Sequence, residues 1–177
     1  MVGLHEIDEK KGRSYELSVY SDQAAASGDI ERARELMREA ASLNATYSVR
    51  AAFVGSTDPR KVRLSPTIRK VLLPAILDAG FASVPGGPWK EGTVLERKRG
   101  PVTHSLYMGR SKFGGRFGMD VARYTSEADV ERFDWHRLNM RDGELAFRTQ
   151  EEVEAVCARW KEILESEVFP WLDGERP

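Results

Sequence analysis

Apolar residues recur along this chain at two spacings, and the change from one to the other divides it. Over 15–26 and again over 29–43 the spacing is helical, with Gly28 as the break and Asp29 placed to cap the second helix. Ile30, Ala33, Met37, Ala40 and Leu43 recur at threes and fours, giving that helix one apolar stripe. Residues 46–54 mix strand formers, Tyr47, Val49, Phe53 and Val54, with Ala51 and Ala52 in a helical neighbourhood, and are read as a third helix. The stretch 55–64 carries Gly, Ser, Asp and Pro and reads as a linker. Residues 1–13 are polar, mixed in charge and without period, which predicts a flexible tail.

A further helix is predicted over 66–79. Ser65 is placed to cap it, Pro66 to open it, and Ile68, Val71, Leu72, Ala75, Ile76 and Ala79 make its stripe. Gly80 ends it. Pro74 falls on the face of Lys70 and Asp78, where water can reach the carbonyl it frees, so a kink is expected there rather than a break.

Beyond 92 the period drops to two. A strand over 93–98 turns through Arg99-Gly100-Pro101 into a second one, where His104, Leu106 and Met108 share one face and Ser105 and Tyr107 the other. Gly114 and Gly115 can take the positive φ of a tight reversal. The next strand puts Phe117, Met119 and Val121 on one side and Asp120 and Tyr124 on the other. Residues 125–141 are expected to wander along the sheet edge, and 145–148 to add a short last strand. Thr149 and Glu152 then form a capping box, and Val153, Val156, Cys157 and Trp160 begin the buried stripe of a final helix that Pro170 should stop. The expected fold is α+β: an antiparallel sheet of about four strands packed against two main helices, with an N-terminal helical hairpin. The expected divisions are a tail (1–13), a hairpin or appendage (14–54) and an α+β domain (65–177).

Composition narrows the class. With 41% hydrophobic and 31% charged residues in 177, the chain reads as one ordinary globular domain with an appendage. Its single cysteine, Cys157, excludes an internal disulfide and points to a reducing compartment. The first residues carry charges where a signal peptide needs an apolar segment, and no run is long enough to span a membrane, so a cytoplasmic protein is expected.

Charge is uneven. Residues 89–123 hold eight bases against three acids, a net +5, whereas 124–177 hold fourteen acids against seven bases, a net −7. Two readings follow: faces that neutralise one another across the fold, or a basic surface turned toward an anion. The candidate anion- or partner-binding residues are Arg97, His104, Tyr107, Arg110, Lys112 and Arg116, around the glycine-rich turn.

Two resemblances add to this. The spacing of Gly28, Asp29, Ala33, Met37 and Ala40 is similar to one tetratricopeptide-type helical hairpin, without a second copy. Ala79-Gly80-Phe81, Arg97, Leu106, Ser111-Lys112-Phe113-Gly114, Phe117 with Met119 and Val121, and Phe169-Pro170-Trp171-Leu172 together resemble a bacterial family of small α+β domains of unknown function, over about 65–172. That resemblance implies a fold and carries no catalytic residue.

No Walker loop, G-x-S-x-G, H-E-x-x-H or G-x-G-x-x-G is present, and the three histidines and one cysteine have no metal-ligand spacing, so neither cofactor nor metal is expected. The leading functional reading is a non-catalytic protein-binding or regulatory protein, an immunity-type partner of another bacterial protein being one form of it. Nucleic-acid or phosphate binding through the basic 97–116 hairpin, and an enzyme acting on a small anion, are the alternatives; a pI near 6.3 argues against the first of these. A pocket lined by Tyr107, His104 and Arg110 would favour the enzyme, and a flat apolar patch with a charged rim the binder.

Overall fold

In the computed structural model residues 4–84, 92–111, 115–140 and 142–174 are described, those of 4–8 and 92 by backbone alone. Helix α1 (Leu4–Ala26) turns at Gly28, whose φ is +87°, into α2 (Ile30–Leu43), and the Asp29 carboxylate accepts the Arg32 N–H as its cap. Helix therefore begins at Leu4 and not after the expected tail. The tail's Glu, Lys and Arg are good helix formers, and a solvated segment readily extends a helix already nucleated by packing. Leu36, Met37 and Ala40 of α2 are buried against Leu17 of α1. A 3-10 turn (Ala45–Tyr47) and α3 (Ser48–Phe53) follow, so the ambiguous stretch is helical as far as Phe53.

Helix α4 spans Leu64–Asp78 and passes through Pro74 unbroken, with Lys70, Pro74 and Asp78 all exposed. Arg63, not Ser65, is its cap residue, and Pro66 sits inside the first turn. The terminus is satisfied from elsewhere: the Gln150 side-chain oxygen accepts the Arg63 N–H at 2.6 Å, and the Thr67 hydroxyl donates to the Arg63 carbonyl at 2.7 Å.

Among the described residues the sheet has six antiparallel strands where about four were expected. They are β1 (Ala82–Ser83), β2 (Gly92–Arg99), β3 (Val102–Arg110), β4 (Arg116–Ser126), β5 (Asp129–Arg132) and β6 (Glu144–Ala146). The order is β1-β2-β3-β4-β5, with β6 pairing the start of β4. The additional strands, β1 and β5, have every residue exposed, so no alternation announces them. Gly100, at φ +59°, makes the two-residue turn between β2 and β3. Gly115, at φ +61°, completes the next reversal and brings its carbonyl to the Phe147 N–H at 2.8 Å.

Helix α5 (Gln150–Ile163) has the expected capping box. It does not end at Pro170: a π turn (Leu164–Val168) leads into α6 (Phe169–Leu172), opening the hydrogen-bond ladder just where the proline lacks its N–H. Helices α4 and α5 pack on one side of the sheet. There Phe117, Met119 and Val121 meet Leu72, Ile76, Val156 and Trp160, and the Trp160 indole donates to the Phe117 carbonyl at 3.3 Å. The α+β class is the expected one, while the number of strands and the arrangement of the helices differ from expectation. No helix among the described residues is long and apolar enough to cross a membrane.

Candidate functional site

Alternation places the five described candidate residues on different parts of the molecule. On the helix side of the sheet, Arg97 and His104 are register partners and both buried. Arg97 donates from Nε to His104 Nδ1 at 3.0 Å, to the Ala79 carbonyl at 2.9 Å and to Asp173 at 2.7 Å, with its guanidinium 4.9 Å from the Phe81 ring. Because Nδ1 accepts, His104 is held neutral; burial and then the charge of Arg97 push its pKa below the ordinary value. A cleft of about 700 Å³ opens beside it, but its arginines are answered by carboxylates: Arg99 faces Asp173 and Arg123 pairs with Glu131. This is a clasp holding the C-terminal turn to the sheet.

Tyr107 lies on the opposite face. Arg110 is at the far end of β3, exposed, beside the start of α4. Arg116 donates to the Tyr47 hydroxyl at 2.8 Å and pairs with Glu144 at 3.7 Å, tying the N-terminal helices to the sheet. Lys112, with Gly114 of the expected turn, lies outside the described residues. Tyr107, His104 and Arg110 thus form no common pocket. Cys157 lies in the core, on the buried stripe expected for it, and burial pushes its thiol up to about 12.

What the register does assemble is the sheet face turned away from the helices. Three rows cross it: Val94, Tyr107 and Asp120; Glu96, Ser105, Ala122 and Arg132; Lys98, Thr103, Tyr124 and Val130. Val94, Tyr107, Ala122, Tyr124 and Val130 line a shallow depression of about 610 Å³, and Val130 is 45% exposed. Charges edge it. Asp120 pairs with Arg132, and the Tyr124 hydroxyl donates to Glu96 at 3.0 Å. Burial first, and that hydrogen bond second, hold the Tyr124 phenol above its usual range. Glu127 adds a further carboxylate, so among the described residues three acids line the depression beside one arginine, with Lys98 on the same face beyond it.

The sequence alone marks only part of this face, Ser105 with Tyr107 and Asp120 with Tyr124. The missed signal is that strands whose core side is already apolar also carry Val94, Ala122 and Val130 on the other side. No group of histidines, cysteines and carboxylates placed to hold a metal occurs among the described residues. Comparison with protein-family models, with curated proteins and with solved structures finds no match.

Proposed function

We propose that this chain is a non-catalytic protein-binding or regulatory protein, and that it holds its partner on the open face of the sheet. One observation carries the reading: a cross-strand patch of Val94, Tyr107, Ala122, Tyr124 and Val130, concave and left uncovered beside a complete core on the other side. The carboxylates of Glu96, Asp120 and Glu127 outnumber the guanidinium of Arg132 around it. The partner is therefore a basic segment with an apolar face, its lysines or arginines meeting the acidic edge while its apolar side chains cover the tyrosines. An immunity-type role, capping a basic surface of another protein, is the narrower form of the same reading.

The test is amide-shift mapping of the labelled chain titrated with a basic amphipathic peptide and with its acidic counterpart. Saturable shifts centred on Val94, Tyr107, Ala122 and Val130, for the basic peptide alone and reduced by Val130→Gln with Tyr107→Ala, are expected. Shifts elsewhere, equal response to the acidic peptide, or concentration-dependent self-association through this face would each overturn the reading.

A further inference from the structure

A second groove lies between the start of α4 and the ends of β2 to β4, on the helix side and away from the open face. It encloses about 490 Å³, within the range of small-molecule sites. Its floor is apolar, built from Ile68 and Leu73 of α4 and the edges of the core residues Met108 and Phe117. Its rim is arginine. Arg63, Arg69 and Arg110 line it, and no carboxylate does among the described residues.

The pairing of the other arginines makes this unusual for the molecule. Arg13, Arg32, Arg34, Arg60 and Arg159 have carboxylate partners on the surface, and Arg50, Arg97, Arg116, Arg123 and Arg148 have them at the joints of the fold. Arg99 and Arg132 are paired as well. Among the described residues only Arg38, Arg63, Arg69, Arg110 and Arg137 have no ion pair, and three of these five converge on one groove. Three like charges around an apolar floor repel one another until an anion is placed between them. Guanidinium forks suit a carboxylate or phosphate, and the apolar floor suits whatever carries it.

We propose that this groove binds a small amphiphilic anion, an apolar chain or ring bearing a carboxylate or phosphate head. The head lies among Arg63, Arg69 and Arg110, and the apolar body lies along Leu73, Met108 and Phe117. This site is independent of the open sheet face and stands or falls separately from it.

The experiment titrates the full chain with decanoate, decyl phosphate and decanol, each below its aggregation concentration, by calorimetry with amide-shift mapping. Decanoate or decyl phosphate should bind saturably with shifts at Ile68, Leu73, Met108 and Arg110; which head binds tighter identifies the natural one. Binding should weaken with salt, because the arginines are exposed and screened. The Arg63→Gln, Arg69→Gln, Arg110→Gln triple variant should lose about tenfold or more in affinity. The Arg38→Gln, Arg137→Gln double variant, which removes unpaired charge elsewhere, should lose nothing. Should the triple variant fail to fold, Arg69→Gln and Arg110→Gln taken singly must each weaken binding. No saturable binding of either anion, equal binding of decanol, equal loss in the double variant, or binding of an acidic peptide here in place of the small anions would overturn the proposal.

Discussion

His104 is packed where a proton has no favourable place. Its Nδ1 accepts from Arg97, its register partner on β4 is Arg123, and Arg99 lies beyond; burial and these charges outweigh the pull of Asp173 and lower its pKa. An unfolded chain takes up that proton near the ordinary value of about 6.5, while the native chain refuses it until lower pH. Stability from this group is thus fully present above about pH 6.5 and declines as pH falls toward the lower native value. Urea melts across pH 5–8 should show this decline, and His104→Gln should flatten it; an NMR titration placing His104 at or above the ordinary value would refute the argument. Cys157 gives a companion check: with its thiol at about 12 it should resist alkylation in the native protein and react fully in denaturant. At this scale alternation made the facing of His104, Leu106 and Met108 legible. It could not show Arg97 buried, because an arginine reads as polar and its carboxylate, Asp173, is 76 positions away.

Among elements, those with strong internal periodicity were legible: α2, α4, α5 and the three long strands all lie where the apolar pattern put them. Elements held by a neighbour were not. Strand β5 exists because Val130 and Arg132 pair with Tyr124 and Ala122, and the first turn of α4 starts where Gln150 of another helix receives it. Phe117 tests the central packing. It is 2% exposed and meets Trp160 edge-on at 6.4 Å, so Phe117→Ala should cost about 3–5 kcal/mol in denaturant melts, and a loss below about 1 kcal/mol would show that this face is not the core. The N-terminal helices pose a different question, since Val49 of α3 belongs to the main core while Leu17, Leu36, Met37 and Ala40 make a smaller cluster with Tyr47 and Ala146. Removing 1–43 should therefore leave a folded domain, and removing 1–60 should lower its melting temperature further, because only the longer cut takes Val49 and Phe53 from the core. Equal melting temperatures for the two truncations would mean that α3 contributes nothing to the main core.

Across the whole molecule, the charge asymmetry between the sheet and the C-terminal half is partly neutralised within the fold. Arg97 and Arg99 meet Asp173, Arg123 meets Glu131 and Arg116 meets Glu144, so part of the basic segment is neutralised by the acidic one that follows it. The sequence supplied both charges but not the pairing, which depends on the π turn delivering Asp173 to the sheet. The pairs are unequal in worth. Arg97 has a side chain only 5% exposed and sits on Phe81, whereas Asp173 is 36% exposed, so water screens one end of the bond. Asp173→Asn would keep the shape and the bonds from Arg97 to His104 and Ala79 while leaving the guanidinium short of its counter-charge. Discounted for that exposure, the loss should be about 1–3 kcal/mol, below the cost of breaking a fully buried pair. Glu162→Gln, which breaks the exposed pair with Arg159, should change stability by no more than about 0.5 kcal/mol. High salt should erase the effect of Glu162→Gln while leaving most of that of Asp173→Asn, because only the second involves a charge held out of water. Equal small losses for the two variants in urea melts would show that the Arg97 clasp does not fasten the C-terminal turn to the sheet, and that the convergence of Arg97, Arg99 and Asp173 is surface charge balance alone.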